Sequence, residues 1–386
     1  MNQIEFPKNF LWGASTSSYQ VEGGIDNADW SEFKSAGQAC DHYNLYQKDF
    51  DLLEELNLDA YRFSLEWSGV EPKPGEFKQK EIDHYKSMLE DLQKRGITTM
   101  VTLHHFTTPL WLDNIGNWAN KKSVDYFTRY AERVFEQLND LVDFWITINE
   151  PYIYAYNSYL KAKWPPQRES VIDFLKVTKN QISAHKRIYD IFNSKDSKVK
   201  VGLATNNQDI ELHSNSILDK ISAKFLDYTI NKSFLNRVKN HLDFIGLNYY
   251  FHNKIKFPSQ IKNDNEITTD LGWEVFPKGI YNVARQLDQY NLPIYVTENG
   301  LADSEDKLRE EFIKKHLYWL HQAISDGSDI RGYFHWSLLD NFEWAESFEP
   351  RFGLVEVDYE TQQRKIRDSA RTYAEIAGNN FFKFRN

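Results

Sequence analysis

The chain has 386 residues, long for an ordinary domain but within the range of one large α/β barrel. A net charge of −10 excludes a nucleic-acid backbone as the expected partner, because phosphate binding needs a basic patch. With 41% hydrophobic residues and no apolar run of membrane-spanning length, it reads as a soluble globular protein with a sizeable core. The single cysteine, Cys40, permits no internal disulfide, and the first residues carry no basic-then-apolar leader, so the expected location is cytoplasmic. The 26 Phe, 22 Tyr and 11 Trp can be core, or platforms on which sugar faces stack.

In chain order, β-branched and aromatic runs predict strands at 10–15, 60–67, 98–106, 144–150, 199–206, 244–250, 293–299 and 331–338. Helical spacing predicts helices between them at 43–56, 79–94, 124–138, 171–192, 278–290 and 307–325, with a closing helix at 368–377. Eight strands alternating with helices is the pattern that closes a (β/α)8 TIM barrel. A doubly wound sheet is the competitor, but no glycine-rich dinucleotide fingerprint follows the first strand. No linker or repeat divides the chain, so residues 1–386 read as one catalytic domain.

Alternation groups Ile146, Ile148 and Glu150 on one face of the fourth strand, and Ile294, Val296 and Glu298 on one face of the seventh. Gly246, Asn248 and Tyr250 group on the sixth, and Phe334 with Trp336 on the eighth. Each row leads to a polar or aromatic residue at the carboxyl end, where barrel enzymes build their sites. Glu150 and Glu298, at the ends of two strands, form a carboxylate pair of the kind that glycoside hydrolysis uses. Each alone could be a helix cap. His104 and His105 are adjacent on a strand and point to opposite faces, which argues against one shared metal ion and for a hydroxyl-binding histidine. Trp336, Trp344 and Phe352 with Asp340 and Glu343 have the composition of a sugar platform, though a packed barrel exit would use the same rings.

The segments Phe10 to Gly23, Tyr61-Arg-Phe-Ser64, Thr102 to Phe106, Asn149-Glu-Pro151, Phe244 to Tyr250, Thr297-Glu-Asn-Gly300, Trp336 to Gly353 and Asp368 to Tyr373 occur in this order across nearly the whole chain. Together they resemble glycoside hydrolase family 1, the β-glucosidase and β-galactosidase family of retaining barrels. The resemblance implies Glu150 as acid/base and Glu298 as nucleophile, with Arg62, Asn248 and Tyr250 around the nucleophile. It implies Gln20, His105, Asn149, Glu343 and Trp344 as partners of sugar hydroxyls, Trp336 as a stacking floor, and Phe106 and Phe352 as pocket walls. The implied substrate is a small β-glycoside or oligosaccharide, processed from its end with retention and without metal or organic cofactor. Arg62 and the Tyr250 hydroxyl are expected to lower the pKa of Glu298, and the Glu298 charge to raise that of Glu150. Transglycosylation through the same intermediate and a non-catalytic sugar-binding descendant are the alternatives.

The chain departs from the family by shortened stretches at 23–40, 160–170 and 251–270, which predict a more open aglycone side, and by Gly69 where the family often has Arg. Glu343 and Trp344 stand where the 6-phosphosugar branch has Ser and basic residues, so a phosphorylated sugar is not expected.

Overall fold

The protein is described by a computed structural model covering residues 2–384. Eight parallel strands form a closed barrel: β1 (Leu11–Ser15), β2 (Ala60–Ser64), β3 (Thr98–His104), β4 (Phe144–Asn149), β5 (Val201–Asn206), β6 (Phe244–Asn248), β7 (Ile294–Asn299) and β8 (Ile330–Trp336). Neighbours in sequence are neighbours in the barrel, and β8 pairs with β1 to close it. All eight predicted strands are present, each one to three residues shorter than its predicted run: β2, β3, β4, β6 and β8 end earlier, their last residues belonging to the loops above the barrel, and β1, β5 and β7 start one or two residues later.

The intervening helices follow from apolar spacing. The helix Gln79–Lys94 buries Ile82, Tyr85, Met88, Leu89 and Leu92, a stripe at three- and four-residue intervals. The helix Val171–Lys195 starts at Ser170, whose hydroxyl accepts the Asp173 amide at 3.2 Å. Sequence periodicity did not predict the helices Pro151–Tyr159 and Ile217–Asp227, nor the small sheet of strands Asp209–Leu212, His252–Lys256 and Gln260–Ile261. These lie in the loops after β4, β5 and β6, where short elements have no long apolar stripe.

Inside the barrel, Ala60, Met100, Ile146, Ala204, Phe244, Tyr295 and Phe334 pack as one cluster, with Leu11 and Phe144 against it. Large rings face glycines: a Cβ on Gly13 would lie 2.5 Å from the Phe334 ring, and one on Gly202 equally close to that of Phe244. Replacing Phe334 by Ala would leave a hole costing about 3–5 kcal/mol.

This cluster decides which strand faces point inward, a choice that alternation alone leaves open because both faces of such strands are buried, and it splits the predicted row of β4. On β7 the inward residue is Tyr295, whose ring packs on Phe144 and Phe244, while Ile294 and Val296 join the outer core beneath the helices. On β4, Ile146 is inside but Ile148 is outside. Register shifts between Val296 and Glu298 and between Ile146 and Asn149 break strict alternation. They let Glu298 and Glu150 line the cavity at the barrel top although the predicted rows point elsewhere. Among the described residues no helix is long and apolar enough to cross a membrane.

Candidate active site

A cavity of about 770 Å³ opens at the carboxyl ends of the strands, lined by Glu150, Glu298 and Glu343 together with His105, Phe106, Tyr250, Trp336, Trp344 and Phe352. Three of these, Phe106, Glu150 and Trp344, have left-handed backbone (φ of 71°, 43° and 50°). Non-glycine residues held there store of order 1–3 kcal/mol each, a cost that clusters at functional sites. At Glu150 the turn is fixed by Pro151, the first residue of the following helix.

Arg62, wholly buried on β2, organises the centre. Its Nη1 donates to Glu298 Oε1 at 2.5 Å, its Nη2 to Asn149 Oδ1 at 2.7 Å, and its Nε to Thr102 Oγ1 at 3.3 Å. The Tyr250 hydroxyl donates to the other oxygen of Glu298 at 2.9 Å. Glu150 Oε1 accepts from Asn248 Nδ2 at 2.8 Å and Asn206 Nδ2 at 3.1 Å, and no hydrogen bond reaches its Oε2 among the described residues.

These partners set the charges. Burial, followed by the neighbouring Glu298 charge, raises the Glu150 pKa to about 8, against the pull of the two amides. Glu298 departs from expectation: its pKa is raised above the ordinary carboxylate value, because burial outweighs Arg62 and the Tyr250 hydroxyl, which act in the expected lowering direction. The asymmetry survives. Glu298 has a cation in contact and Glu150 has only neutral amides, so a proton shared between them rests on Glu150. Glu343 is likewise raised to about 8 by burial and then by Glu298, with Gln20 opposing.

Asn149 Oδ1 accepts from Arg62 and from Asn248 at 3.1 Å, so its amide must donate to His105 Nε2 at 3.1 Å. That fixes the neutral tautomer with hydrogen on Nδ1, and burial together with the Arg62 charge keeps the ring unprotonated. Gln20 lies behind the cavity wall, its Oε1 taken by Ser17 and its Nε2 donating to Phe342 O at 2.8 Å and Glu343 Oε2 at 3.3 Å. His104 points away, accepting from Trp118 Nε1 at 3.1 Å.

Two predicted assignments need correction or completion. Asp340 does not face the cavity: Arg367 grips both its oxygens at 2.9 Å and the Gly353 amide donates to it, so it pins the loop rather than a sugar. Asn206, Trp164 and Trp273 were not singled out, yet all line the cavity. The signal for Asn206 was its place at the end of β5, the position that Asn248 holds on β6. Of the shortened stretches, 160–170 and 251–270 contribute to this cavity, whereas 23–40 borders a separate one of about 1060 Å³ and supports the lining from behind, with Trp30 against Trp344 and Trp164 and Lys34 donating to Ala345 O at 2.6 Å.

The sequence profile described as Glycosyl hydrolase family 1 matches residues 2–238 and 225–382. The chain is 33% identical to beta-glucosidase A of Thermotoga maritima, covering 98% of this chain and 99% of that protein. That alignment runs over 442 positions, more than this chain has residues, so the difference lies in shortened segments. Among solved structures, a beta-glycosidase from Pyrococcus horikoshii superposes with a TM-score of 0.95 at 38% identity, over 99% of this chain and 97% of that one. The Thermotoga maritima enzyme bound to glucoimidazole superposes with a TM-score of 0.94 at 32% identity, over 98% of this chain and 100% of that one. With an eight-stranded barrel, a carboxylate-lined pocket at its carboxyl face and matches along nearly its full length, the chain belongs to glycosyl hydrolase family 1 and is a β-glycosidase.

Proposed function

We propose that the protein is a retaining exo-β-glycosidase acting on terminal gluco- or galacto-configured residues, with Glu298 as nucleophile and Glu150 as acid/base. The observation that carries this reading is the unequal support of the two carboxyl groups: Arg62 and Tyr250 hold Glu298, and only Asn248 and Asn206 reach Glu150. In the first step the Glu298 carboxylate attacks the anomeric carbon, the bond to the leaving oxygen breaks, and Glu150 gives that oxygen its proton. Esterification removes the Glu298 charge, so Glu150 becomes more acidic and takes a proton from the water that then displaces Glu298. The sugar leaves with its original configuration.

The polar groups suit hydroxyls. Neutral His105 stacks beside the rings of Trp336 and Trp344 with Asn149 hydrogen-bonded to it, and Glu343, oriented by Gln20, lines the same cavity. The same lining disfavours a 6-phosphosugar, since four carboxyl groups, those of Glu150, Glu298, Glu343 and Glu346, face it with Lys163 as the one lysine or arginine among them. An acceptor sugar could replace water at the second step, and the collar of Trp164, Trp273 and Tyr152 favours that only for aromatic or sugar acceptors.

The test is hydrolysis of aryl β-glycosides followed by NMR of the first anomer released. Retention gives the β-anomer first, and release of the α-anomer would overturn the double displacement. Glu298→Ala with azide should yield the α-glycosyl azide, and an unchanged wild-type rate without azide would remove Glu298 from the mechanism.

A further inference from the structure

The small sheet after β5 and β6 holds a cluster that the glycosidase reading does not use. Asp209 and Glu211 alternate along the strand Asp209–Leu212, and His252 on the parallel strand His252–Lys256 is the register partner of Asp209. One ligand atom from each of the three lies within 4.8 Å of the others. His252 is fully buried as a side chain, and its two nitrogens differ. Nδ1 is 2.6 Å from Glu274 Oε2, a firm hydrogen bond, whereas Nε2 has no hydrogen-bond partner and points at Glu211 Oε2 from 3.4 Å. The ring is also held by stacking on Phe276 at 3.9 Å.

A carboxylate on one imidazole nitrogen, with the other nitrogen buried and directed at a further carboxylate, is how metal-binding histidines are oriented; Asp209, whose Oδ2 accepts from Asn282 at 2.9 Å, completes the cluster. Glu274 keeps the hydrogen on Nδ1 and leaves the Nε2 lone pair toward the cluster. We propose that His252, Asp209 and Glu211 bind a divalent transition ion, zinc by preference, with solvent completing the shell. One imidazole and two carboxylates suit zinc better than calcium or magnesium, which favour all-oxygen shells. Glu211 is partly exposed, so its carboxylate can swing to close the remaining distance and leaves the cluster open to solvent on that side.

The consequence lies on the opposite face of the same two strands. Gln208 and Ile210 alternate with Asp209 and Glu211, and Asn253 and Ile255 with His252 and Lys254, and these four line the substrate cavity. Asn253 donates to Gln208 at 2.8 Å, and Gln208 to Asn206 Oδ1 at 3.4 Å, next to Glu150. An ion joining the strands from behind would fix this wall of the pocket.

The experiment is calorimetric titration of tag-free, chelator-stripped protein with zinc chloride, with magnesium chloride as comparison, on wild type, Glu211→Gln, His252→Gln and Glu274→Gln. The expected result is one zinc per chain, weakened at least tenfold in Glu211→Gln and His252→Gln and about 10–100-fold in Glu274→Gln. Cobalt(II) should give visible absorption in wild type that His252→Gln loses. Because Glu211 is partly exposed, Glu211→Gln tests the site without a folding defect. Absence of saturable zinc binding, equal affinity in wild type and the Glu211→Gln and His252→Gln variants, or a His252 ring proton resonance unmoved by zinc would each overturn the site and leave His252 as an ion-pair bridge between Glu274 and Glu211.

Discussion

Asp340 and Glu150 are both buried carboxyl groups near the carboxyl face of the barrel, and they are treated in opposite ways. Asp340 has a full complement: both oxygens bridged to Arg367 at 2.9 Å, the Gly353 amide, and Arg351 at 3.3 Å. Glu150 has two neutral amides converging on one oxygen and a second carboxylate as neighbour. Burial is common to both, so burial does not separate a structural carboxylate from a reactive one. The difference is whether the surroundings match the charged form. A complete match locks the group, and an incomplete one leaves a proton to be exchanged.

The comparison can be broken most directly at the charge that perturbs Glu150. Glu298→Ala should lower kcat by about 10⁴-fold or more, the scale seen when a nucleophile is removed. It should also return the Glu150 pKa toward its ordinary range, read from the pH profile of azide-rescued turnover. Asp340→Asn should cost about 3–5 kcal/mol of stability in urea denaturation, because Arg367 would be left buried without its partner. Turnover per folded molecule should stay within a few-fold of wild type. Glu150→Ala should lower kcat/KM for substrates with poor leaving groups by about 10²–10⁴-fold while barely changing kcat/KM for dinitrophenyl glycosides, whose departure needs no proton; their kcat should still fall, because the water step loses its base, and added azide should restore it.

A subtler contrast concerns stability. Since the folded pKa of Glu150 is raised to about 8, the folded state holds the proton more tightly than the unfolded one, and wild type loses stability as pH rises from the ordinary carboxylate range through about 8. Glu150→Gln should lose the Glu150 share of this dependence, Glu343 keeping its own over the same range, and should match or exceed wild-type stability at pH 9, the opposite of Asp340→Asn. The smallest expected effect is that of Asn206→Ala. Losing a donor to the charged form should push the alkaline limb of kcat/KM upward by about half a pH unit to one. A downward shift would show that Asn206 does not act through Glu150.

Much of this was legible in the chain. The eight strands follow from apolar runs, and Glu150 and Glu298 stand out because a carboxylate ending a buried strand is costly unless it is used. The inward faces of β4 and β7 were not legible, because alternation assumes a regular strand and both strands shift register below the site. The role of Asp340 was not legible either. Its partner Arg367 lies 27 residues away and meets it only after the last strand has folded back. The direction of the Glu298 shift depends on how completely the pocket excludes water, which residue types do not convey. The cluster at His252 is spread over strands too short and too polar to show a period.

The aromatic filling of the barrel has a consequence for the order of events. Phe144, Phe244, Tyr295 and Phe334 close the barrel beneath the carboxylates, so the pocket has a floor and traffic must pass through its mouth. In the proposed reaction the sugar lies deepest and the aglycone outermost. The aglycone must therefore depart before water or an acceptor can reach the intermediate, and the freed sugar leaves last through the same opening. Retention of that sugar should make it a competitive inhibitor, whereas the released aglycone can bind again only as an acceptor.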